Sequence, residues 1–90
     1  MSIHALKIKS PWFTRVQAGQ KHAEVRLHDR DYQAGDLLRL HEVDQHGNTH
    51  TGTNPITARI THVLPASHCE GLKPGYCLLS IEPTEKEAKS

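Results

Sequence analysis

The stretch Gly19-Gln20-Lys21-His22-Ala23-Glu24-Val25-Arg26, with the pattern G-x-K-x-x-E-x-R, decides the fold because helical periodicity changes there to strand periodicity. Gly19 can adopt the left-handed conformation that commonly ends a helix. Apolar and charged side chains then alternate over residues 23–28, as in a strand with two unlike faces. The sequence therefore predicts a helix, a turn and a strand that presents a charged row. That row consists of Glu24, Arg26 and His28.

A short helix is predicted over residues 11–18, immediately before this stretch. Ser10 can cap its first amides, and Pro11 suits the first helical position because its missing N–H has no partner there. Three apolar residues lie one, three or four positions apart and should pack together in the core. They are Trp12, Phe13 and Val16.

Strand periodicity recurs in four more segments, at residues 3–9, 37–43, 56–63 and 76–82. Five short strands and one helix after the first strand, with mostly antiparallel neighbours, predict a mainly β, α+β domain. A small barrel of five to six strands would protect the strand edges. We expect a single domain over residues 1–83 and a disordered tail over residues 84–90, which has almost no apolar content.

Composition limits the function. The chain has 90 residues, of which 36% are hydrophobic, with a mean hydropathy of -0.61 and a net charge of +1. This balance argues against an indiscriminate polyanion binder. However, the first 30 residues carry six Lys/Arg against two Asp/Glu. An anionic ligand should therefore meet the first third of the chain.

No apolar run approaches the length of a membrane span and no signal peptide is evident, so we expect a cytoplasmic protein without membrane contact. In that compartment Cys69 and Cys77 should stay reduced. The eight histidines and two cysteines show none of the usual zinc spacings, so the sequence predicts no metal and no cofactor.

Several motifs resemble the ASCH superfamily, whose fold is similar to the PUA barrel, and in particular an ASCH-like bacterial and phage family of unknown function. The likeness covers about residues 4–82 and includes the G-x-K-x-x-E-x-R pattern. Its other motifs are His4-Ala5-Leu6-Lys7-Ile8, Glu24-Val25-Arg26, Asp29-Arg30-Asp31, Gly35-Asp36, Thr51-Gly52 and Gly71-Leu72-Lys73-Pro74-Gly75-Tyr76.

This resemblance implies a barrel with a cleft beside the helix that binds RNA, a nucleotide or a modified nucleoside. It also implies an alternative, an amidohydrolase for N-acylated cytidine with Lys21 in the active site. In this alternative, Glu24 or another acid would handle protons. Catalysis would require Lys21 to lose its proton, which a neighbouring Glu24 opposes. A protein-interaction domain is a third alternative.

The charged cluster itself suits a nucleic-acid ligand. Lys21, Arg26 and Arg30 can bind phosphates, and Glu24 can orient these cations or accept a bond from the amine of cytosine. His28 adds positive charge at low pH, and Tyr32 is the candidate for base stacking. The alternative is a solvated ion network of Lys21, Glu24, Arg26 and Asp29 with no ligand.

Overall fold

The computed structural model describes residues 1–49 and 52–84, and in these ranges it contains five strands, one α-helix and one 3-10 helix. In chain order the elements are β1 (Ile3–Lys9), α1 (Ser10–Gln17), β2 (Ala23–Leu27), β3 (Leu37–Val43), β4 (Ile56–Pro65), the 3-10 helix Ala66–His68, and β5 (Tyr76–Pro83). Residues 85–90 of the predicted tail, and Thr51 of the quoted motifs, lie outside the described residues.

All five strands form one sheet with the order β1-β3-β4-β5-β2. β1 runs parallel to β3, while β3 with β4, β4 with β5 and β5 with β2 are antiparallel. The prediction of a mainly β domain with mostly antiparallel neighbours and one short helix after the first strand is confirmed. The sheet curls into a half-barrel whose two outer strands, β1 and β2, do not pair with each other over the described residues. We call the gap between these two strands the seam.

The core fills the concave side of the sheet. On β1, His4, Leu6 and Ile8 are buried and their neighbours in the strand are exposed, as the alternation predicts. The predicted inner face of β5 is also confirmed, because its three alternate residues are buried. The centre of the core is contributed by β3, β4 and β5, where the side chains of Leu38, Leu40, Ala58, Ile60, Cys77 and Leu79 have no exposed surface.

Helix α1 covers the end of this core through Phe13 and Val16, which are both buried. Complete burial of a side chain of this kind contributes about 1.5–3 kcal/mol to the free energy of folding. This packing stabilises a helix of only eight residues, which would not be stable alone in water. Trp12 was expected beside them, but 48% of its surface is exposed, so that prediction is wrong. The helix is too short to bury more than one narrow stripe.

Both ends of α1 can be compared with the prediction. Gly19 follows the helix with φ of 79°, which confirms the left-handed ending. The capping role of Ser10 is wrong, because Lys9 occupies the N-cap position and makes no side-chain capping bond. Instead, the Ser10 hydroxyl donates a hydrogen bond to the Val43 carbonyl oxygen at 3.1 Å and so ties the start of α1 to the end of β3.

The start of β1 is held by a carboxylate. Asp36 accepts hydrogen bonds from the backbone amides of Ser2 and Gln33, each at 3.0 Å, and its third partner is the imidazole nitrogen His4 Nε2 at 2.9 Å. The bond with His4, followed by the Ser2 amide, lowers the pKa of Asp36 to about 2. This carboxylate therefore joins β1 to the turn before β3.

Cys69 and Cys77 are both free thiols, and burial raises the pKa of Cys77. Across residues 1–49 and 52–84, no helix has the length and apolar character needed to cross a membrane.

Candidate ligand-binding site

The motif that decides the fold forms a cluster of three charges at the seam. Glu24 lies at its centre, with the Lys21 ammonium on Oε1 and the Arg26 guanidinium 3.0 Å from Oε2. Lys21 also donates to the Ala23 carbonyl oxygen. The Glu24 side chain is only 8% exposed, whereas its two partners are each 24% exposed. The carboxylate of the cluster is thus buried, whereas its two cations remain partly accessible to a ligand.

β2 exposes the opposite face from the one that its hydrophobicity suggests. Its alternation is confirmed, but Glu24 is buried while Val25 and Leu27 are 55% and 52% exposed. Of the charged row, only Glu24 is buried, at the seam, where each oxygen of its carboxylate has a cation. Arg26 is partly buried and His28 is exposed.

Arg26 bridges the seam. Its Nη1 and Nη2 atoms donate to the Lys7 carbonyl oxygen on β1, at 3.2 and 3.1 Å. This side chain therefore links the two outer strands where backbone pairing is missing. Glu24 fixes the guanidinium from the other side.

A cleft of about 600 Å³ opens beside α1, and we call it the large cleft. Four basic side chains and a single carboxylate, Glu24, line it, together with Trp12. The guanidinium of Arg15 lies 5.8 Å from the centre of the Trp12 ring, a cation–π distance that helps to position the indole. The basic residues are Lys7, Lys9, Lys21 and Arg26.

A second cleft of about 270 Å³, the small cleft, continues from the first. The two clefts share Val25 and Arg26 in their walls. Arg30, Asp29 and Tyr32 are also among the residues that line the small cleft. Arg30 Nε lies 3.6 Å from the Asp29 carboxylate, and both side chains are well exposed.

The structure divides the predicted site residues between these two clefts. Lys21, Glu24 and Arg26 come together at the large cleft, whereas Arg30 and Tyr32 line the small one. His28 lines neither cleft and stacks on Tyr32, with ring centres 6.2 Å apart and an interplanar angle of 29°. The alternative network was expected to include Asp29, but Asp29 pairs with Arg30 instead.

Tyr32 does not offer a free ring face. It is 4% exposed, and the ring of His4 packs against it edge-on with centres 4.8 Å apart. Burial raises its pKa, an effect that the nearby guanidiniums of Arg30 and Arg26 partly oppose. Base stacking on Tyr32 therefore does not fit the structure.

Sequence reasoning missed the basic and aromatic residues of the large cleft other than Lys21 and Arg26, namely Trp12, Lys7 and Lys9. The two lysines alternate with buried apolar residues on β1, and this spacing placed them on one exposed face. That this face borders the seam follows only from the strand order. Trp12 carried no sequence signal that separated it from Phe13.

The described residues contain no group of three or more His, Cys, Asp or Glu side chains that could hold a metal ion. What the clefts offer is a set of hydrogen-bond donors with positive charge, an exposed aromatic ring and one buried carboxylate. Such a set can bind an anion with a planar substituent.

Residues 3–81 match the profile of a known family, described as a domain of unknown function, DUF3850. The chain belongs to the DUF3850 family. The predicted relationship to a family of unknown function is thereby confirmed, and a phage protein is among the relatives of this DUF3850 domain. That protein, the "Uncharacterized 12.9 kDa protein in GpA 3'region" of Escherichia phage P2, is 43% identical over 65 residues.

The match to the phage protein covers 72% of the DUF3850 chain and 57% of the phage protein, so the chain spans little more than half the length of that relative. Among solved structures, the crystal structure of hypothetical protein PH0355 is similar, with a TM-score of 0.59 and 14% identity. The similarity covers 92% of this chain and 99% of the other. At this identity the likeness concerns the fold alone.

Proposed function

We propose that this DUF3850 domain binds single-stranded RNA or a nucleotide in the large cleft. The observation that carries the proposal is the exposed Trp12 ring in the same wall as four basic side chains. Single-stranded nucleic acids are bound by this combination, in which cations follow the phosphates and aromatic rings stack on the bases.

The basic side chains supply the phosphate contacts. Lys7 and Lys9 are exposed on β1 and line the cleft. Lys21 donates two of its three N–H groups to Ala23 and Glu24, so one remains for a ligand. The positive field is therefore concentrated at the seam, in a chain whose net charge is only +1.

Glu24 has a place in a nucleic-acid site although it is an acid. Each of its oxygens accepts a hydrogen bond from a cation of the cluster, and a carboxylate oxygen has two lone pairs. A remaining lone pair can accept from the exocyclic amine of cytosine or adenine. The carboxylate thus orients the cations and favours bases that carry an amine.

The ASCH and PUA-like resemblance of the sequence motifs supports the same function, because it implies a cleft beside the helix that binds RNA or modified nucleosides. The curled sheet and the position of α1 agree with such a barrel.

Trp12 is the only tryptophan in the chain, so its fluorescence reports on the cleft directly. Octamers of adenosine, cytidine and uridine should quench this emission and bind with a log affinity that falls linearly with log salt. In anisotropy with a labelled octamer, Trp12→Ala should lose about 1–3 kcal/mol of binding free energy, the usual contribution of one stacked base. Trp12→Phe should recover most of that loss.

The matched control is Arg59→Gln, which removes an exposed charge from β4 outside both clefts. It should bind almost as the wild type does, while Lys9→Gln should bind more weakly and with a smaller salt slope. Absence of binding by all three octamers at 50 mM salt, with a folded protein, contradicts the proposal.

The contacts of Lys21 argue against the hydrolase alternative. Both of them use Nζ as a hydrogen-bond donor, to a carboxylate and to a carbonyl oxygen. A nucleophile or base at this position would need to present a lone pair instead. Incubation with N4-acetylcytidine tests the alternative, and release of acetate by the wild type but not by Lys21→Ala would establish it.

A further inference from the structure

We infer that the small cleft is a second phosphate subsite, so that the ligand of this domain is an oligonucleotide with at least two phosphates and not a free nucleoside or mononucleotide. This inference rests on the proposed function, because it assigns a role to the cleft that continues from the first.

The two clefts lie one after the other along the seam. On β1, the small cleft is lined by Leu6 and the large cleft by Lys7, Ile8 and Lys9. On β2 the order is reversed along the chain, since the large cleft takes residues 23–26 and the small cleft residues 25–27. Five strand residues span roughly 13 Å from first to last Cα, so the combined groove is elongated.

Each cleft has a cation that the other lacks. The large cleft has Lys7, Lys9 and Lys21, and the small cleft has Arg30. Arg26 stands between them and lines both. A chain of phosphates that follows the groove therefore meets a positive group at each step.

Arg26 retains donors for this role. Its contacts to Glu24 and to the Lys7 carbonyl oxygen engage Nη1 twice and Nη2 once. A guanidinium has five N–H groups, so Nε and one N–H of Nη2 remain unused by contacts within the described part of the chain. Arg26 can thus hold the seam and a phosphate at the same time.

Asp29 is the carboxylate that opposes a phosphate in the small cleft. Its side chain is 52% exposed and pairs with Arg30 at 3.6 Å, which is an exposed ion pair of small energy. A phosphate can replace Asp29 as the partner of Arg30. The opposition also supplies a test, because removal of this carboxylate should strengthen binding of the longer ligand alone.

The test compares cytidine 5′-monophosphate with the dinucleotide pCpC, and adenosine 5′-monophosphate with pApA, by titration of Trp12 fluorescence. The wild type should bind each dinucleotide about tenfold more tightly than its mononucleotide, because the second phosphate is tethered beside its own subsite. Arg30→Gln should lose about fivefold for the dinucleotide and less than twofold for the mononucleotide. Asp29→Asn should bind the dinucleotide more tightly than the wild type, and Arg59→Gln is again the matched control.

Equal affinities of the wild type for mononucleotide and dinucleotide would overturn the inference and leave the proposed function standing. The same conclusion follows if Arg30→Gln weakens both ligands by the same factor. If neither a mononucleotide nor a dinucleotide binds to the folded wild type but the octamers do, the inference fails alone. If the octamers do not bind either, both proposals fail together. Arg30 and Asp29 are exposed and neither belongs to the core, so both variants should fold. Circular dichroism of each variant checks this.

Discussion

Replacement of Glu24 by glutamine should destabilise the domain and at the same time strengthen its binding to RNA. The substitution keeps the size of the side chain and one oxygen acceptor, but it removes the negative charge between Lys21 and Arg26. These two cations then lie close together without a counter-charge. Because the carboxylate is 8% exposed, water can compensate for its loss only in part.

The magnitude follows from the two contacts of the carboxylate. Removal of one member of a fully buried ion pair costs about 3–5 kcal/mol, and an exposed pair contributes about 0–1 kcal/mol. Glu24 is buried, but each of its partners is 24% exposed, so the cost lies between these limits. We expect a loss of about 2–3 kcal/mol in the free energy of unfolding. For a domain of this size that is a fall in Tm of roughly 10–20 °C.

Urea denaturation and thermal unfolding of Glu24→Gln measure this effect, with Glu82→Gln on the exposed side of β5 as the control. Added salt should restore part of the lost stability, because it screens the repulsion between Lys21 and Arg26. Affinity for the uridine octamer at low salt should rise, since an anion has left the cleft and uridine has no exocyclic amine for Glu24 to accept from. A variant with wild-type Tm, or one that is destabilised and binds RNA more weakly at every salt concentration while still folded, would refute this reasoning.

Two further predictions concern buried titratable groups. The pKa of Asp36 is about 2, below its ordinary value of 3.8, so the unfolded chain binds the proton more tightly and stability should fall as the pH drops from about 4 to 2. Asp36→Asn should be less stable at neutral pH, and urea denaturation at several pH values should show no such loss of stability between about pH 4 and 2. If the variant loses as much stability in acid as the wild type does, Asp36 is not the group responsible. Burial raises the pKa of Cys77, so iodoacetamide at pH 8 should alkylate Cys69 first, and mass spectrometry that finds Cys77 modified at the same rate would contradict this.

The sequence predicted the elements of the fold where a strict pattern met a clear boundary. β1 alternates along its whole length and stops at Ser10 and Pro11, and the structure follows both signals. β5 behaves in the same way, with its three inner residues bounded by a proline. These segments are predictable because burial on one face is the dominant energy term for each.

The errors about burial share one cause, which is that the burial of a residue next to the seam depends on strands far away in the chain. In β2, hydrophobicity alone would bury Val25 and Leu27. The structure instead buries Glu24 on the opposite face, where it has cationic partners. Trp12 is adjacent to Phe13 in sequence, and only the position of α1 on the sheet decides which ring is covered. Tyr32 is buried by His4 and its neighbours, a contact across 28 residues that no local pattern contains.

The guanidinium of Arg26, which joins β1 to β2, also bears on the tendency of the protein to aggregate. The unpaired N–H and C=O groups of an edge strand can pair with a strand of another chain, which is one route to aggregation. Here a charged group binds the backbone carbonyl oxygen of Lys7, and the side chains of Lys7 and Lys9 are exposed on the same strand. The guanidinium therefore blocks one backbone acceptor of this strand edge while the groove beside it stays open, whereas a fully paired barrel would have no such groove.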